Sequence, residues 1–511
     1  MGIKRYTADA DSTISNAYMA NLKTRASSSN MGAADILEVF SIYGQASTSS
    51  AELSRVLIKF PIDSISSDRT AGSIPASSSV SFYLKMFNAP HSQTVPSDFS
   101  LTMAPVTGAF PGSGSWQEGH GLDMETYTDV VSGAAGVTWA QSGGVASGWA
   151  TAGGDYYTSF PTFTASFDTG LEDLEVDITH LVEEWIKGLS DSSKHPNYGL
   201  GIKLSSSHEE DSKSYFTKKF FARNSEYFYK RPVVEARWDS STKDDRANVY
   251  FSSSLADGKE NLNTIYLYNY IRGQLRNIPG VGTGQIHVNI FSGSLDNTLP
   301  SGSSLKLVKD GTHVNDIGEI VITGAYVSTG IYSASFAITA SDVTTLFDVW
   351  YSGSTGPTTG AVGAVQYFTG SAITPKPLSG HSINPSTKHV TSITNLRSLY
   401  STDETARFRI YTREKGWNPT IYTKAKAKTE PLIVDSGSYK IFRVVDELDV
   451  ISYGTGSDMH TQLSYDLSGS YFDLDISLLE PGYSYGIKLA YYNGAIGDWV
   501  EQPQIFKFRV E

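Results

Sequence analysis

Apolar residues along most of this chain occur in short runs that alternate with polar residues and end at Gly, Ser, Pro or Asn. In the first half the runs are SRVLIKF (54–60), SVSFYLKMF (79–87), LTMAPV (101–106), LGIKL (200–204), KSYFTKKFFAR (213–223) and PVVEARW (232–238). Runs of this length, with turn residues between them, are typical of β-strands. We therefore predict an all-β protein.

The same pattern continues to the end of the chain, with about six strand-like runs in each of two further segments. Strands spaced by about 8–12 residues are typical of immunoglobulin-like sandwiches. Single domains usually stop near ~150–250 residues, and the polar stretch DSSTKDD (239–245) suits a linker. We predict three tandem β-sandwich domains, at 1–240, 246–375 and 386–511, the last two being Ig-like.

One segment departs from the strand pattern. In VDITHLVEEWIKG (176–188) the apolar residues are spaced i, i+3, i+4, i+7 and i+8, namely Ile178, Leu181, Val182, Trp185 and Ile186. This spacing places them on one face of a helix. Asp177 suits the N-cap and Gly188 the C-cap. We predict one short helix packed on the first sandwich, with Trp185 inside and Glu183 on the outer face.

A second local pattern lies near the C-terminus. In LLEPGYSYGIKL (478–489), Leu479, Pro481 and Tyr485 follow the spacing L-x-P-x-x-x-Y. This resembles the turn between strands E and F of fibronectin type III domains. The resemblance implies that Tyr485 is the corner tyrosine, whose hydroxyl donates a hydrogen bond back to the turn.

Nine segments of the first 240 residues resemble, in order, a known domain type. They are ADADSTI (8–14), NMGAADILEV (30–39), SRVLIKFPIDSI (54–65), SVSFYLKMF (79–87), SWQEG (115–119), VTWAQ (137–141), VDITHLVEEWIKG (176–188), NYGLGIKL (197–204) and RPVVEARW (231–238). Together they resemble the DNRLRE-type domain, a jelly-roll-like sandwich related to carbohydrate-binding modules. The chain departs from that pattern in its long Gly/Ser loops at 107–160, which we place at one end of the sandwich, and in NMG (30–32), where such domains often carry Asn-Tyr-Gly.

Composition excludes several classes of function. Forty Lys and Arg against fifty-three Asp and Glu give 40 − 53 = −13, which argues against a nucleic-acid partner. The chain contains no cysteine, so it has neither disulfides nor a thiol nucleophile. The start of the sequence lacks an apolar signal region, and no run of eighteen apolar residues occurs. We expect a soluble chain without a membrane partner.

The long loops of the first domain contain the candidate ligand-binding residues Trp116, Glu118, Trp139, Trp149, Tyr156 and Tyr157. Aromatic faces stack on the apolar face of a pyranose, and a carboxylate accepts hydrogen bonds from its hydroxyls. The alternative is that these side chains pack inside the protein, which we favour for Trp116 and Trp139. Trp149 and the tyrosine pair are the better candidates, for a glycan or for a protein interface.

Two acidic stretches, DADS (9–12) and HEED (208–211), offer oxygen ligands for calcium. Neither has the ordered spacing of a calcium-binding loop, so a solvated turn is favoured for each, and Asp9 and Asp11 are the remaining candidate ligands. No other cofactor is expected. Motifs of serine hydrolases, zinc proteases and phosphate-binding loops are absent from the sequence, and we expect a non-enzymatic protein.

The succession of sandwich modules is also similar to structural proteins of tailed bacteriophages. That similarity implies a virion component in a capsid decoration, neck or tail, assembled in the host cytoplasm as a homo-oligomer with other virion proteins. The competing hypothesis is an adhesion protein that binds a host surface glycan through the loops at 107–160.

Overall fold

The structure is a computed structural model of the chain, and it separates into two compact units. It describes residues 2–43, 51–92, 96–107, 115–126, 136–143, 148–294, 300–313, 318–352, 365–378, 388–418, 420–421, 431–454 and 458–511. The N-terminal unit comprises Gly2–Asp239 and Thr455–His460, and the C-terminal unit comprises Ser240–Gly454 and Thr461–Glu511. The predicted all-β class with tandem β-sandwiches is confirmed. The three predicted domain boundaries stay a prediction.

The N-terminal unit is a sandwich of two antiparallel sheets. Its strands are β1 (Ile3–Thr7), β2 (Ala10–Ser15), β3 (Ile36–Tyr43), β4 (Ala51–Lys59), β5 (Ser81–Met86), β6 (Phe99–Pro105), β7 (Phe163–Phe167), β8 (Leu174–Asp177), β9 (Leu200–Leu204), β10 (Tyr215–Phe221) and β11 (Val233–Arg237). The smaller sheet has the order β1-β11-β5-β8. The larger sheet has the order β10-β3-β4-β9-β6-β7, and β2 pairs with β4.

Strand β4 explains how the larger sheet is packed. Val56, Leu57 and Ile58 are consecutive and completely buried. Because successive side chains of a strand point to opposite faces, Val56 and Ile58 pack in the main core between the two sheets. Leu57 packs in a separate cluster. The larger sheet is therefore buried on both faces at its centre.

The predicted helix is present as α2 (Thr179–Gly188), with Leu181, Val182 and Trp185 buried in the main core. Its N-cap is Ile178, not Asp177. Asp177 lies one residue earlier, where its Oδ1 accepts the Thr179 N–H at 2.8 Å. The carboxylate therefore still satisfies an amide at the start of the helix.

The expectation of a single helix was wrong. A second helix, α1 (Ile62–Thr70), buries Ile62 and Ile65 and contacts α2, and a short α3 (Ser206–Glu209) follows β9. Contact between α1 and α2 also corrects the placement of Glu183, which is 9% exposed. Its Oε2 accepts a hydrogen bond from Arg69 Nη1 at 2.9 Å. No helix within the described ranges is long and apolar enough to span a membrane.

The C-terminal unit contains two groups of strands. The first group is β12 (Tyr250–Phe251), β13 (Asn263–Tyr268), β14 (Tyr270–Ile271), β15 (Gln274–Leu275), β16 (Ile286–Ser292), β17 (Leu307–Val308), β18 (Ile322–Ser328), β19 (Ile331–Ile338), β20 (Leu346–Tyr351), β21 (Gln366–Thr369) and β22 (Lys376–Pro377). Its main sheet has the order β13-β19-β18-β16-β20-β21. β17 joins this sheet at β19, while β12 pairs with β22 and β14 with β15.

A buried ion pair lies in this first group. Asp348 on β20 is completely buried and pairs with the guanidinium of Arg246, which is 6% exposed. The second carboxylate oxygen accepts the indole N–H of Trp350 at 2.7 Å. Arg246 also donates to the carbonyl of Tyr266 at 3.1 Å. Both charges thus have several partners, as burial of an ion pair requires.

The second group forms two further sheets. Its strands are β23 (His389–Ile393), β24 (Leu399–Tyr400), β25 (Thr405–Glu414), β26 (Gly437–Arg443), β27 (Asp449–Ile451), β28 (Ser464–Asp466), β29 (Gly469–Asp475), β30 (Ser484–Asn493), β31 (Asp498–Glu501) and β32 (Phe506–Val510). One sheet has the order β23-β25-β29-β28 and the other β24-β32-β30-β26-β27, with β31 on β30.

Stacked aromatic rings connect these two sheets. Phe472 on β29 stacks against Tyr439 on β26, with ring centroids 4.0 Å apart, and against Phe408 at 5.0 Å. At the turn before β30, the hydroxyl of Tyr485 donates to the carbonyl of Glu480 at 2.8 Å. Leu479 is completely buried. This is the hydrogen bond that the resemblance to a tyrosine corner implies.

The buried Arg246–Asp348 pair gives a test of the C-terminal unit. We expect Asp348→Asn to destabilise this unit by about 3–5 kcal/mol, because the guanidinium stays buried without its counter-charge. Urea unfolding of the full chain measures the loss. Glu319→Gln is the matched control: it removes an ion pair with Lys309 whose side chains are 56% and 67% exposed, and should change stability by less than about 1 kcal/mol. Equal effects of the two variants would contradict the buried pairing.

Candidate functional site

Four of the six candidate ligand residues, Trp116, Trp139, Trp149 and Tyr156, lie together on the outer face of the larger N-terminal sheet. We call residues 115–126, 136–143 and 148–157 the tryptophan lobe. Its apolar centre consists of Trp116, Val137, Trp139 and Trp149, packed on Ile14, Leu57 and Val106 of the sheet. The sequence placed these loops at one end of the sandwich. The structure corrects that placement, because the tryptophans cover the apolar side chains that face outward from the sheet.

The three indole rings are integrated in this packing. Trp116, Trp139 and Trp149 are only 5–7% exposed. Trp116 Nε1 donates to the carbonyl of Tyr198 at 2.8 Å, and Trp149 Nε1 donates to that of Thr138 at 3.0 Å. Buried indole N–H groups usually have such partners. Trp149, which the sequence favoured as a ligand contact, therefore has no open ring face in this structure.

Tyr156 and Tyr157 point in opposite directions. Tyr156 packs on the tryptophan lobe and donates its hydroxyl proton to the carbonyl of Gly153 at 2.8 Å. Burial raises the pKa of Tyr156 to about 12. Tyr157 packs against the main core, with its ring 4.2 Å from that of His195. The pair therefore does not form one binding surface.

Asn30 fixes the tryptophan lobe to the sandwich. Its buried amide Nδ2 donates to the carbonyls of Glu118 at 2.7 Å and Val137 at 2.8 Å. Its Oδ1 accepts the N–H groups of Gly32 at 3.2 Å and Gly121 at 2.8 Å. Four backbone groups from three segments thus depend on one side chain. This asparagine is the first residue of the NMG segment.

Arg55 on β4 provides a second attachment. Its guanidinium donates to both carboxylate oxygens of Glu209, at 2.9 and 2.8 Å, and to the carbonyl of Gly153 at 2.9 Å. It also lies 5.1 Å from the ring centroid of Trp139 and 5.9 Å from that of Tyr156. A cation beside aromatic rings adds to their packing. Sequence reasoning missed Arg55 because these partners are distant along the chain.

The sixth candidate ligand contact, Glu118, lies in a charged cluster with Asp11 and Arg223. Arg223 donates through Nε and Nη2 to the two oxygens of Glu118, at 2.6 and 2.8 Å. Glu118 Oε1 accepts the backbone N–H of Asp11 at 2.9 Å, and Asp11 Oδ2 accepts the backbone N–H of Arg223 at 2.7 Å. Both carboxylates of this cluster are therefore bound within the protein.

Burial controls the protonation of this cluster. Asp11 is 1% exposed and its Oδ1 has no hydrogen-bond partner. Burial raises the pKa of Asp11 to about 7, and the negative charge of Glu118 acts in the same direction. Burial also raises the pKa of Asp9. The cluster thus contains a carboxyl group that titrates near neutral pH.

The candidate calcium ligands Asp9 and Asp11 stay a prediction. Within the described ranges, no group of three or more His, Asp or Glu side chains is arranged to hold a metal ion. In the HEED stretch, Glu209 is bound by Arg55. Oxygen ligands for calcium are usually more numerous than the two carboxylates found beside Arg223.

The C-terminal unit contains a cavity of about 720 Å³. Its polar wall includes Lys376, Asn248 and Asp435, and its apolar wall includes Ile373 and Leu432. Lys376 Nζ donates to Asn248 Oδ1 at 2.9 Å, and Asn248 Nδ2 donates to Asp435 Oδ1 at 3.0 Å. These polar groups satisfy one another, so the cavity does not by itself identify a ligand.

Comparison with protein-family models finds no matching family, and comparison with curated proteins finds no significant match. Membership of the DNRLRE-type family therefore remains a proposal that rests on the order of nine sequence segments.

The hydrogen bonds of Asn30 give a test of the tryptophan lobe. We expect Asn30→Ala to lower the free energy of unfolding by about 2–4 kcal/mol, because it leaves several backbone groups without partners. Urea unfolding, with tryptophan fluorescence as the signal, measures the loss. Asn21→Ala is the control, since Asn21 makes exposed turn hydrogen bonds. A loss for Asn30→Ala no larger than for the control would contradict the attachment of the lobe.

Asp11 gives a test by pH. A carboxyl whose pKa is raised by folding contributes stability below the unfolded-state value, near 4, and loses it as the pH rises to about 7. Asp11→Asn replaces the carboxyl with an amide that does not titrate, and so removes this pH-dependent contribution to stability. We therefore expect the variant to gain stability relative to the natural protein between pH 4 and 7, by a few kcal/mol in total, and to level off above pH 7.

Urea unfolding at a series of pH values measures that difference, and Asp63→Asn, at an exposed position of α1, is the control. If Asn at position 11 instead lost stability relative to the natural protein as pH rose, Arg223 would be holding Asp11 ionised, and the effect of burial would be secondary.

Proposed function

We propose that this chain is a non-enzymatic structural protein of a tailed-bacteriophage virion, which acts by assembling with copies of itself and with other virion proteins. The observation that carries the proposal is the tryptophan lobe. Loops that would bind a ligand through exposed aromatic rings instead pack Trp116, Trp139 and Trp149 on the sandwich. The described part of these loops presents no exposed cleft lined by tryptophan rings.

Exposed apolar side chains of the C-terminal unit support a role in assembly. Tyr270 and Ile271, on the hairpin of β14 and β15, are 60% and 45% exposed. On the hairpin of β30 and β31, Tyr492, Ile496 and Val500 are also exposed. Clustered exposed apolar residues commonly mark protein contacts, and aromatic residues are enriched there. Symmetric contacts through such hairpins would stabilise an oligomer.

The alternative of glycan binding through the loops at 107–160 is less well supported. A pyranose stacks on an open aromatic face, and the described tryptophans of these loops are buried. The two carboxylates near them, Asp11 and Glu118, are held by Arg223. The virion assignment itself is supported by the similarity of the modular succession to tailed-bacteriophage structural proteins.

Location in the particle tests this proposal. We expect an antibody raised against residues 1–240 to label purified virions at one defined place by immunogold electron microscopy, and dissociated virions to contain the chain in fixed copy number by quantitative mass spectrometry. Absence of the chain from dissociated particles, with recombinant protein binding a defined glycan on an array, would contradict the structural role and favour adhesion.

A further inference from the structure

Lys218 on β10 is a completely enclosed lysine. Its side chain is 1% exposed. The Nζ atom lies 2.7 Å from Oδ1 of Asn88, 2.8 Å from the carbonyl oxygen of Gly170 and 2.7 Å from that of Glu172. A buried ammonium is costly unless it is paired. The three oxygens satisfy its three N–H donors, and none of them belongs to a carboxylate.

The surroundings of Lys218 lower the affinity of its amine for a proton. The rings of Phe167 and Phe220 lie 4.8 and 5.0 Å from Nζ and exclude water. Burial lowers the pKa of Lys218 to about 8. An amine whose pKa is lowered in this way has a larger neutral fraction, and that fraction is nucleophilic, as in enzymes that use a desolvated lysine. Its nearest side-chain carbonyl is that of Asn88.

Asp173 positions Asn88. Its Oδ1 accepts the backbone N–H of Asn88 at 2.7 Å. Burial raises the pKa of Asp173, while the positive charge of Lys218 lowers it. Asn88 also forms a β-bridge with Phe220, two residues after Lys218. The lysine and the asparagine are therefore held together by backbone contacts as well as by their side chains, which is the pre-organisation that an intramolecular reaction requires.

We propose that Lys218 and Asn88 join in an intramolecular isopeptide bond. Lys218 Nζ attacks Cγ of Asn88, a C–N bond forms, and the bond from Cγ to the original amide nitrogen breaks. That nitrogen leaves as ammonia and takes up the proton released by the lysine ammonium. One lysine ammonium and one carboxamide become one secondary amide and one ammonium ion, so the step balances without an oxidant or a cofactor.

The cross-link would connect the two sheets of the N-terminal sandwich. Asn88 follows β5 in the smaller sheet, and Lys218 belongs to β10 in the larger sheet. The two residues are 130 positions apart in the chain. Closing so long a loop restricts the unfolded chain, as a disulfide does. A protein without cysteine would acquire a covalent cross-link in this way.

A second lysine–asparagine contact provides an internal comparison. Lys376 Nζ lies 2.9 Å from Asn248 Oδ1. Lys376 is exposed to solvent. The same pair of side chains at a similar distance therefore lacks the enclosed surroundings of Lys218 and Asn88, and we expect no bond there.

Mass spectrometry of the purified full chain tests the proposal. We expect the denatured protein to be lighter than its sequence mass by about 17 Da, one ammonia, and a protease digest to contain a branched peptide that joins Lys218 to Asn88. Asn88→Ala and Lys218→Met should each restore the full sequence mass. Lys376→Met, the matched control, should keep the loss.

The natural protein alone decides the outcome if a variant fails to fold. Full sequence mass in the natural protein, with separate unmodified peptides carrying Lys218 and Asn88, would overturn the proposal and leave Lys218 as a buried ammonium held by three acceptors. Asp173→Asn tests the positioning role: in variant protein with native circular dichroism, we expect a smaller cross-linked fraction, restored by Asp173→Glu. An unchanged fraction would remove that role.

Discussion

The arrangement of the N-terminal unit depends on one constraint, which is that its larger sheet is apolar on both faces. Leu57 and Ile14 point away from the main core and yet are completely buried. An exposed apolar sheet face would be a site of association. The tryptophan lobe covers this face, and each indole adds a large apolar area to the contact. The need to cover the sheet thus explains why the loop tryptophans face inward.

Polar contacts then attach the tryptophan lobe to the sheet. Asn30 hydrogen-bonds to backbone groups of the tryptophan lobe, and Arg55 and Arg223 bind carboxylates beside it. Each of these side chains satisfies several partners, which is the condition under which polar groups can be buried. Lys218 and Asp348 follow the same rule elsewhere in the chain. Removing one member of such a group lowers the free energy of unfolding more than removing an exposed contact does, because the remaining members stay buried without partners.

Local patterns in the sequence predicted part of this structure. The run LGIKL became β9 without a change of boundary, and the apolar stripe in 176–188 became α2. α1 was missed because only two of its side chains are buried in a serine-rich segment, and Glu183 was therefore placed in solvent. The position of Trp149 could not be predicted, since the lobe has no periodicity and its contacts with β4 are distant in sequence. Secondary-structure propensity and the spacing of apolar residues do not reveal long-range contacts of this kind.

The tryptophan lobe is a folded layer on the sandwich and not a set of open loops. Hydrogen–deuterium exchange of the full chain can establish this, because the amides of Gln117, Val137 and Gly153 donate to carbonyls within the lobe. We expect peptides from 115–126, 136–143 and 148–157 to exchange as slowly as those of β4 and β9. Exchange of these peptides at the rate of an unstructured chain would contradict the claim.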